Sequence, residues 1–371
     1  MRPRDEADLA EAVAGATGGV QIQGGGTRWV GQVRGQVLDA SGLSGVRLYE
    51  PGALTLVAGA GTPLTEIEAT LATEGQRLAF DPPDLRALLG RDGVTTIGGI
   101  VAANASGPRR VQAGACRDAL IGVRFVDGMG VITRNGGRVM KNVTGYDLVK
   151  LMAGSRGTLG VLSEVALKVL PGTEASATLE IAGLSDSAGL AALSAALGSP
   201  YEVSGAAHLG GPGARTVLRI EGFEAQVAHR AARLTELLAP WGVARVERAP
   251  DAVQALWAQV RDVTVFADQP GDVWRLHVVP GDAAALVAGI AGARALYDWG
   301  GGLVWLLLPE GRDLRVELGP IRGHATLMRA APETFARLPA IPPENPVVAR
   351  LSRDLRARFD PRGILNPGLM G

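Results

Sequence analysis

A strand-like segment, Val20–Gln23, runs directly into three consecutive glycines, which are followed by Thr27 and Arg28. Glycine adopts backbone conformations that other residues avoid, so successive N–H groups of a run such as Gly24–Gly26 can point at one anion. A flexible surface turn would have the same composition, and the loop alone leaves both interpretations open. No GxGxxG fingerprint leads into a helix here, and the Walker lysine is missing, which argues against the two commonest phosphate-binding folds.

Two further segments have the composition of a ligand site. Residues 95–110 read TTIGGIVAANASGPRR, and these small side chains would let a flat ligand lie against the backbone. Residues 136–147 and 157–164 read GGRVMKNVTGYD and GTLGVLSE, and Asp147 is placed to cap a helix over Leu148–Ala153. A packed turn explains each segment separately. The order of all three in one chain favours a binding site.

The bulk composition excludes several classes of protein. The 371 residues are enough for two domains, and 47% of them are apolar. Lys+Arg and Asp+Glu both number 37, so the basic excess of a nucleic-acid-binding protein is missing. One cysteine, Cys116, excludes an internal disulfide and an iron–sulfur cluster held by four thiolates of this chain. Acidic residues stand where a signal peptide would be apolar, so we expect a cytoplasmic protein.

Periodicity and turn residues predict an α+β fold with two domains, residues 1–171 and 172–371, divided at Pro171-Gly172. In the first domain we predict the following elements: a helix over Glu6–Ala14, strands at Val20–Gln23, Val37–Asp39 and Leu54–Ala58, a helix capped by Thr62 and ended by Gly75, a hairpin of Ile121–Val126 with Val131–Thr133, and a strand at Val161–Leu170. In the second domain the pattern predicts helices on one face of a sheet, with these elements: strands at Thr178–Ile181, Thr216–Ile220, Val273–Val279 and Leu303–Leu308, and helices at Ala188–Leu197, Gln226–Leu238 and Ala283–Ala291.

The order GGGT, TIGG with ANASGPRR, KNVTGYD and GTLGVLSEV resembles the FAD-binding domain of the vanillyl-alcohol oxidase-like flavoenzymes. The sequence of residues 139–171, VMKNVTGYDLVKLMAGSRGTLGVLSEVALKVLP, is most similar to the FAD-binding E subunits of bacterial glycolate oxidase (glycolate dehydrogenase). The chain end, FDPRGILNPG, is also similar to that family. The resemblance is dense over the first 171 residues and general over the middle of the chain. It implies a two-subdomain FAD-binding domain covered by an α+β cap domain.

The resemblance also implies roles for individual residues. The pyrophosphate of FAD would be bound by Gly24, Gly25, Gly26, Thr27 and Arg28. The ribityl chain and flavin would be followed by Thr96, Gly98, Gly99, Asn104, Ser106 and Gly107. Gly157 and Val161 would contact the flavin or adenine. For a redox role we predict Arg109 and Lys141, as cations that stabilise an anionic reduced flavin, and Asn366, as a hydrogen-bond partner of the ring edge.

The chain departs from its relatives in two ways. Many of them tether FAD through histidine or cysteine, but the first histidine here is His208, and Cys116 has only Arg117 as an activating neighbour. We therefore predict non-covalent FAD, and we expect valine at Gly25 to abolish its binding in a protein that stays soluble. The catalytic relatives also hold a metal with closely spaced histidines. Here no two of the four histidines are close in sequence, so we predict no metal site.

These observations favour the FAD-binding subunit of a glycolate dehydrogenase complex, which would assist the oxidation of glycolate to glyoxylate or relay its electrons. The resemblance implies a catalytic flavin subunit and an iron–sulfur subunit as partners, with membrane association only through them. A stand-alone FAD-dependent 2-hydroxy-acid dehydrogenase, a flavin-free assembly subunit and a cell-wall precursor reductase are the alternatives. Because the sequence shows no clustered base or metal ligands, we predict that the isolated chain oxidises glycolate poorly.

Overall fold

The structure, a computed structural model, describes residues 1–31, 34–137 and 145–370. The strands of the first half are β1 Val20–Gln23, β2 Gln36–Asp39, β3 Val46–Glu50, β4 Thr55–Gly59, β5 Gln76–Leu78, β6 Leu120–Val126, β7 Ile132–Gly136 and β8 Val161–Pro171. Its helices are α1 Glu6–Ala14, α2 Leu64–Ala72, α3 Arg86–Leu89, α4 Ile97–Ala102, α5 Arg110–Ala113, α6 Cys116–Ala119 and α7 Leu148–Met152.

The second half has the strands β9 Ala175–Ala182, β10 Val203–Leu209, β11 Arg215–Gly222, β12 Arg245–Glu247, β13 Asp272–Val278, β14 Arg294–Asp298, β15 Leu303–Leu308 and β16 Gly323–Arg329. Its helices are α8 Asp186–Leu197, α9 Glu224–Leu238, α10 Pro250–Asp262, α11 Ala283–Ala288, α12 Leu314–Leu318, α13 Pro332–Arg337 and α14 Pro346–Phe359. Among the described residues, no helix is both long enough and apolar enough to cross a membrane.

Three sheets organise the described residues. Strands β1 and β2 form a parallel pair, and a six-stranded sheet has the order β3-β4-β8-β6-β7 with β5 added to β8. An eight-stranded antiparallel sheet has the order β12-β9-β11-β10-β14-β15-β13-β16. The chain passes from the six-stranded to the eight-stranded sheet between β8 and β9, next to the predicted boundary at Pro171-Gly172. We use the predicted bounds and names, the FAD-binding domain for residues 1–171 and the cap domain for residues 172–371.

Local signals explain several helix ends. Asp5 caps α1 by accepting a hydrogen bond from the N–H of Asp8 at 2.9 Å, and Asp147 caps α7 through the N–H of Lys150 at 3.0 Å. The prediction that Thr62 caps α2 is wrong. The Thr62 side chain is buried and donates to the carbonyl of Gly59 at 2.7 Å, and Pro63 stands at the cap position without a side-chain bond.

The cap domain differs from its prediction in where its helices pack. Helices α8 and α9 share one hydrophobic core with the side chains of Ala206 and Leu218 on the eight-stranded sheet. Ala207 and Val217, their neighbours in sequence, pack on the opposite face against α10. Successive residues of a strand point to opposite faces, so helices cover both faces of this sheet and not one.

A third core joins the two domains. It combines Leu85 and Leu88 of the FAD-binding domain with Leu296, Leu303 and Trp305 of the cap sheet. The chain end also returns to the FAD-binding domain, because Leu365 pairs with Val20 in a parallel bridge beside β1. The predicted cap domain therefore ends in a segment that completes the first domain.

Candidate functional site: a glycine-lined cleft and an adjoining interdomain cavity

A cleft opens beside β1, α4 and the start of β8. Eleven of the predicted site residues lie in its wall: Gly24, Gly25, Gly26, Thr27, Arg28, Thr96, Gly98, Gly99, Gly157, Val161 and Asn366. The structure thus brings together three glycine-rich segments that are far apart in sequence. Lys141 lies outside the described residues, and its predicted role stays a prediction.

The turn after β1 has unused hydrogen-bond donors. Among the described residues, the backbone N–H groups of Gly25, Gly26, Thr27 and Arg28 donate no hydrogen bond. Gly26 has φ +72°, the left-handed region that favours glycine. Consecutive free N–H groups in such a turn fit the oxygens of a phosphate group. This turn therefore fits the pyrophosphate of FAD.

Gly25 is also required by the protein's own packing. A Cβ atom built on Gly25 would overlap the carbonyl group of Val94, because the two backbone segments cross at this point. Thr27 and Thr95 join the same two segments through their hydroxyl groups at 3.2 Å. A valine at Gly25 must therefore displace the loop itself, and the sequence interpretation overlooked this structural effect.

The Arg28 guanidinium lies at the inner end of the cleft. Its Nη2 donates to the carbonyl of Pro83, while its Nε is buried without a hydrogen-bond partner. Burial lowers the pKa of Arg28 to about 10, and the group stays protonated at neutral pH. A buried cation with an unsatisfied donor fits an anionic ligand at this end of the cleft.

Helix α4 presents its backbone to the cleft through Gly99. A Cβ atom on Gly98 would lie 2.7 Å from the Cβ and the carbonyl oxygen of Ala60, so Gly98 permits the close packing of α4 on the end of β4. A Cβ atom on Gly99 would have one neighbour within 4 Å, the Thr96 Oγ1 at 3.4 Å. The open side of Gly99 therefore faces the cleft and is accessible to a ligand.

Asn366 forms part of the cleft wall and is 3% exposed. Its Oδ1 accepts a hydrogen bond from the N–H of Ile22, and its Nδ2 donates to the carbonyl of Arg156, both at 2.7 Å. A Cβ atom on Gly157, which has φ +75°, would lie 2.8 Å from that Nδ2. Asn366 thus positions the cleft wall. A hydrogen bond from its remaining amide hydrogen to the flavin stays a prediction.

Three residues that were predicted to contact the ribityl chain and flavin do not line this cleft. Asn104 Oδ1 accepts from the N–H of Arg117 at 2.9 Å, and Ser106 Oγ accepts from the N–H of Cys116 at 2.9 Å. A Cβ atom on Gly107 would overlap the carbonyl of Asp81. These residues shape a tight turn, and Ser106 and Gly107 line a separate cavity next to the cleft.

Arg109, predicted to stabilise an anionic reduced flavin, also lies away from the cleft. Its Nη2 and Nε lie 2.8 and 3.0 Å from the two carboxylate oxygens of Glu221 on β11, and Asp81 lies 3.4 Å away. Arg109 is absent from the lining of the cleft. Its guanidinium pairs with Glu221 of the cap sheet and with Asp81, so Arg109 links the FAD-binding domain to the cap domain and does not line the cleft.

Cys116 is fully buried and also lies outside the cleft lining. Burial raises the pKa of its thiol to about 12, which leaves it protonated and unreactive at neutral pH. These properties support the prediction that FAD is not tethered to this cysteine.

The cavity next to the cleft contains residues that the sequence patterns did not single out. Both domains contribute to its wall, which includes Arg156, Arg275, Asp298 and Trp305. Arg28, Ala103 and Arg156 line both the cleft and this cavity. The one available signal was Arg275, a charged residue inside the mostly apolar stretch VWRLHVV.

The structure also pairs two histidines that are 47 positions apart. His277 and His324 stand opposite each other on β13 and β16, with His277 Nδ1 3.0 Å from His324 Nε2. Burial, followed by the charge of Arg275, lowers the pKa of His277 to about 2, so the ring is neutral. The described residues contain no group of three histidine, cysteine or acidic side chains placed to hold a metal.

The sequence profile of the FAD binding domain matches residues 1–136 of this chain. In fold, the chain is similar to p-cresol methylhydroxylase with substrate bound, with a TM-score of 0.70 and 14% identity over 99% of this chain and 87% of that one. The cleft and the profile match define a protein with an FAD-binding domain, and the solved structure shows that the shared fold extends over the whole chain.

Sequence comparison with two relatives identifies the protein family. The chain is 37% identical to glycolate oxidase subunit GlcE of Escherichia coli over 340 residues, which is 91% of this chain and 88% of that protein. It is 35% identical to glycolate oxidase subunit GlcD of Bacillus subtilis over 144 residues, 39% of this chain and 27% of that protein. The chain therefore belongs to the family of glycolate oxidase subunit GlcE.

Proposed function

We propose that this chain is the FAD-binding subunit of a glycolate dehydrogenase complex. In this role it assists the oxidation of glycolate to glyoxylate or relays the electrons that this oxidation releases. The observation that carries the proposal is the cleft with its free N–H donors, in a chain similar to GlcE along most of its length. A flavin-free assembly subunit would have no use for these donors.

Different residues of the cleft would hold different parts of FAD. The turn Gly25–Arg28 would bind the pyrophosphate through backbone N–H groups, with Arg28 supplying a positive charge. The open side of Gly99 would support the flat parts of the cofactor. Asn366 would keep the C-terminal wall in place. When bound, the flavin supplies a two-electron acceptor, and the chain binds it, orients it and shields it from water.

Partner subunits follow from the same proposal. Since this chain has one cysteine, an iron–sulfur path for electrons must lie in another chain. The partners we propose are a catalytic flavin subunit of the GlcD kind and an iron–sulfur subunit. The complex would be cytoplasmic, with any membrane association made by the partners.

A stand-alone 2-hydroxy-acid dehydrogenase is the second candidate. The interdomain cavity favours it, because its wall contains Arg275, whose Nε is buried without a hydrogen-bond partner, and the buried carboxylate of Asp298. Glycolate-dependent dye reduction separates the two. The FAD-loaded chain would be assayed alone and then with the catalytic and iron–sulfur subunits added. A large rise in the rate of dye reduction when the partners are added would support the role as a subunit. Equal rates with and without the partners would support the stand-alone enzyme instead.

A further inference from the structure

Helix α14 lies on the surface of the protein and leaves apolar side chains uncovered. In the described part of the chain, none of the residues of this helix is buried. Val347 and Leu351 are 61% and 58% exposed, and they lie on one side of the helix because they are four positions apart. Val348, three positions before Leu351, is also exposed. Single exposed apolar side chains are common, but a group of them on one helix marks an interaction surface.

The same helix carries an excess of positive charge. It contains four arginines and one aspartate, in a chain whose formal charges sum to zero. Arg356 and Arg358 stand in its last turn, where the helix dipole favours cations. Arg350 and Arg353 lie further from that end, and their exposed side chains make no hydrogen bond or ion pair with the described residues. Unpaired arginines beside exposed apolar side chains have the composition of a protein interface and fit an acidic partner.

A groove beside α14 continues this surface towards the FAD-binding domain. Val348 lines the groove together with Leu318 and Ile321 of the cap domain, so its wall is apolar next to the helix. At the FAD-binding domain the groove is lined by Arg156, which also lines the glycine-lined cleft. The groove and the cleft therefore meet at one residue.

The C-terminal segment also connects α14 to the wall of the cleft. Arg356 donates a hydrogen bond to the carbonyl of Met370 at 2.8 Å, and Met370 lines the groove. The Oγ1 of Thr158 donates to the Sδ of Met370 at 3.8 Å. Four positions before Met370, Asn366 is part of the cleft wall. A protein that covers α14 and the groove would thus be separated from the cleft by this segment and by Arg156.

We propose that α14 and the groove beside it dock an acidic partner protein that carries an iron–sulfur cluster and takes electrons from the flavin. This inference rests on the proposed function and names the surface of this chain that the iron–sulfur subunit covers. An electron acceptor has to lie close to the flavin, and this surface meets the cleft at a shared residue. Two electrons leave the reduced flavin one at a time, each reduces a cluster by one electron, and the proton that the flavin loses passes to water. Small contacts steered by charge are typical of electron-transfer partners.

The test uses the full-length FAD-loaded chain and the separately purified iron–sulfur subunit of the proposed complex. Calorimetry measures their association, and stopped-flow absorbance measures the rate at which the photoreduced flavin reduces the cluster. At about 0.1 M salt, the double variant Arg350→Glu/Arg353→Glu should bind the subunit roughly tenfold or more weakly, because two cations of the interface become anions. The affinity of the wild type should fall as salt rises, and that of the double variant should not.

The matched control is Arg47→Glu/Arg134→Glu, which changes the net charge by the same amount. Arg47 on β3 and Arg134 on β7 are exposed, and their side chains make no hydrogen bond or ion pair with the described residues. They lie on the two edge strands of the six-stranded sheet and outside the groove. Salt screens charges that are more than a Debye length from an interface, so the affinity of this control should stay within about twofold of the wild type.

A second pair of variants tests the apolar part of the surface. Leu351→Ser should weaken binding roughly fivefold or more, because less apolar area is buried, and it should keep the salt dependence of the wild type. Val243→Ser, at a valine that is 93% exposed in the loop before β12, is its control and should leave the affinity unchanged. In all four variants the FAD content and the thermal midpoint should match the wild type, since every replaced side chain is exposed.

The outcomes separate this inference from the proposed function. A wild-type chain that binds neither the iron–sulfur subunit nor the catalytic subunit contradicts the proposed function. If the wild type binds the iron–sulfur subunit, and the α14 variants bind it as tightly and reduce its cluster as fast, the inference is overturned and the proposed function stands. The inference is also overturned if the α14 variants lose only the catalytic subunit, or lose only binding to vesicles of phosphatidylcholine and phosphatidylserine.

Discussion

The backbone N–H of Ile22 donates a hydrogen bond of 2.7 Å to the Oδ1 of Asn366, which lies 344 positions further along the chain. This bond fastens the last turn of the protein to β1 and completes the wall of the cleft. The C-terminal segment is therefore part of the FAD site.

Asn366→Ala should lower both stability and FAD retention. It leaves the Ile22 N–H and the Arg156 carbonyl unpaired, at a cost of about 1–3 kcal/mol in the free energy of unfolding. FAD should dissociate faster, which dilution of the holoprotein with flavin fluorescence would measure. Asn345→Ala is the control, since Asn345 caps α14 away from the cleft and should lower stability alone. Equal FAD retention in both variants would contradict the role of Asn366.

Leucine at Gly99 should block FAD without harming the fold. Its Cβ meets only Thr96 Oγ1 at an ordinary distance, so the side chain extends into the cleft. Replacing a helical glycine also favours the helix by up to about 1 kcal/mol. Flavin content should fall to near zero while the thermal midpoint of the apoprotein stays unchanged or rises. Gly52→Leu, with open space around the glycine, should leave both unchanged.

Valine at Gly25 should behave differently from leucine at Gly99. Because its Cβ overlaps the Val94 carbonyl, Gly25→Val should lower the thermal midpoint of the apoprotein as well as remove FAD. Comparing the two apoproteins by calorimetry distinguishes a blocked ligand site from a displaced loop. An unchanged midpoint in Gly25→Val would show that the loop tolerates the displacement.

Glu221 should make the stability of the two-domain assembly depend on pH. Burial alone would raise its pKa, but Arg219, Arg109 and Arg77 hold the pKa well below its usual value of 4.5. A depressed pKa in the folded state gives stability that is present above pH 4.5 and is lost as pH falls below it. Glu221→Gln should cost about 3 kcal/mol at pH 7, since it leaves buried arginines unpaired, and should flatten the acid limb of the stability profile.

Denaturant unfolding between pH 3 and pH 7 measures this effect. The control is Glu236→Gln, which breaks the exposed pair with Arg233 and should cost less than about 1 kcal/mol. A parallel acid limb in Glu221→Gln and in the wild type would mean that Glu221 does not supply this dependence.

The sequence predicted the helices and strands whose bounds depend on local residue patterns. Helix α1 and strands β1 and β15 have the predicted bounds, and the hairpin of β6 with β7 is confirmed. Eleven residues to which the family resemblance gave a role lie in the wall of one cleft. Arg109 was assigned incorrectly because its partner, Glu221, is 112 positions away and belongs to the cap sheet.

The interdomain cavity was missed for the same physical reason. Asp298 ends a strand, β14, that no alternation predicted, and its environment comes from elements on both sides of the domain boundary. The pairing of His277 with His324 likewise depends on strand order, which sequence spacing does not reveal. Residues whose function depends on strand order need the fold before they can be recognised.

The central claim, that this chain binds FAD non-covalently in the glycine-lined cleft, has one direct measurement. The full-length chain is saturated with FAD and desalted, and the flavin is quantified before and after acid precipitation. We predict one FAD per chain, all of it released into the supernatant, because Cys116 is buried outside the cleft and the described cleft wall contains no histidine. Absence of flavin after saturation, or yellow colour that stays in the pellet, would contradict this account.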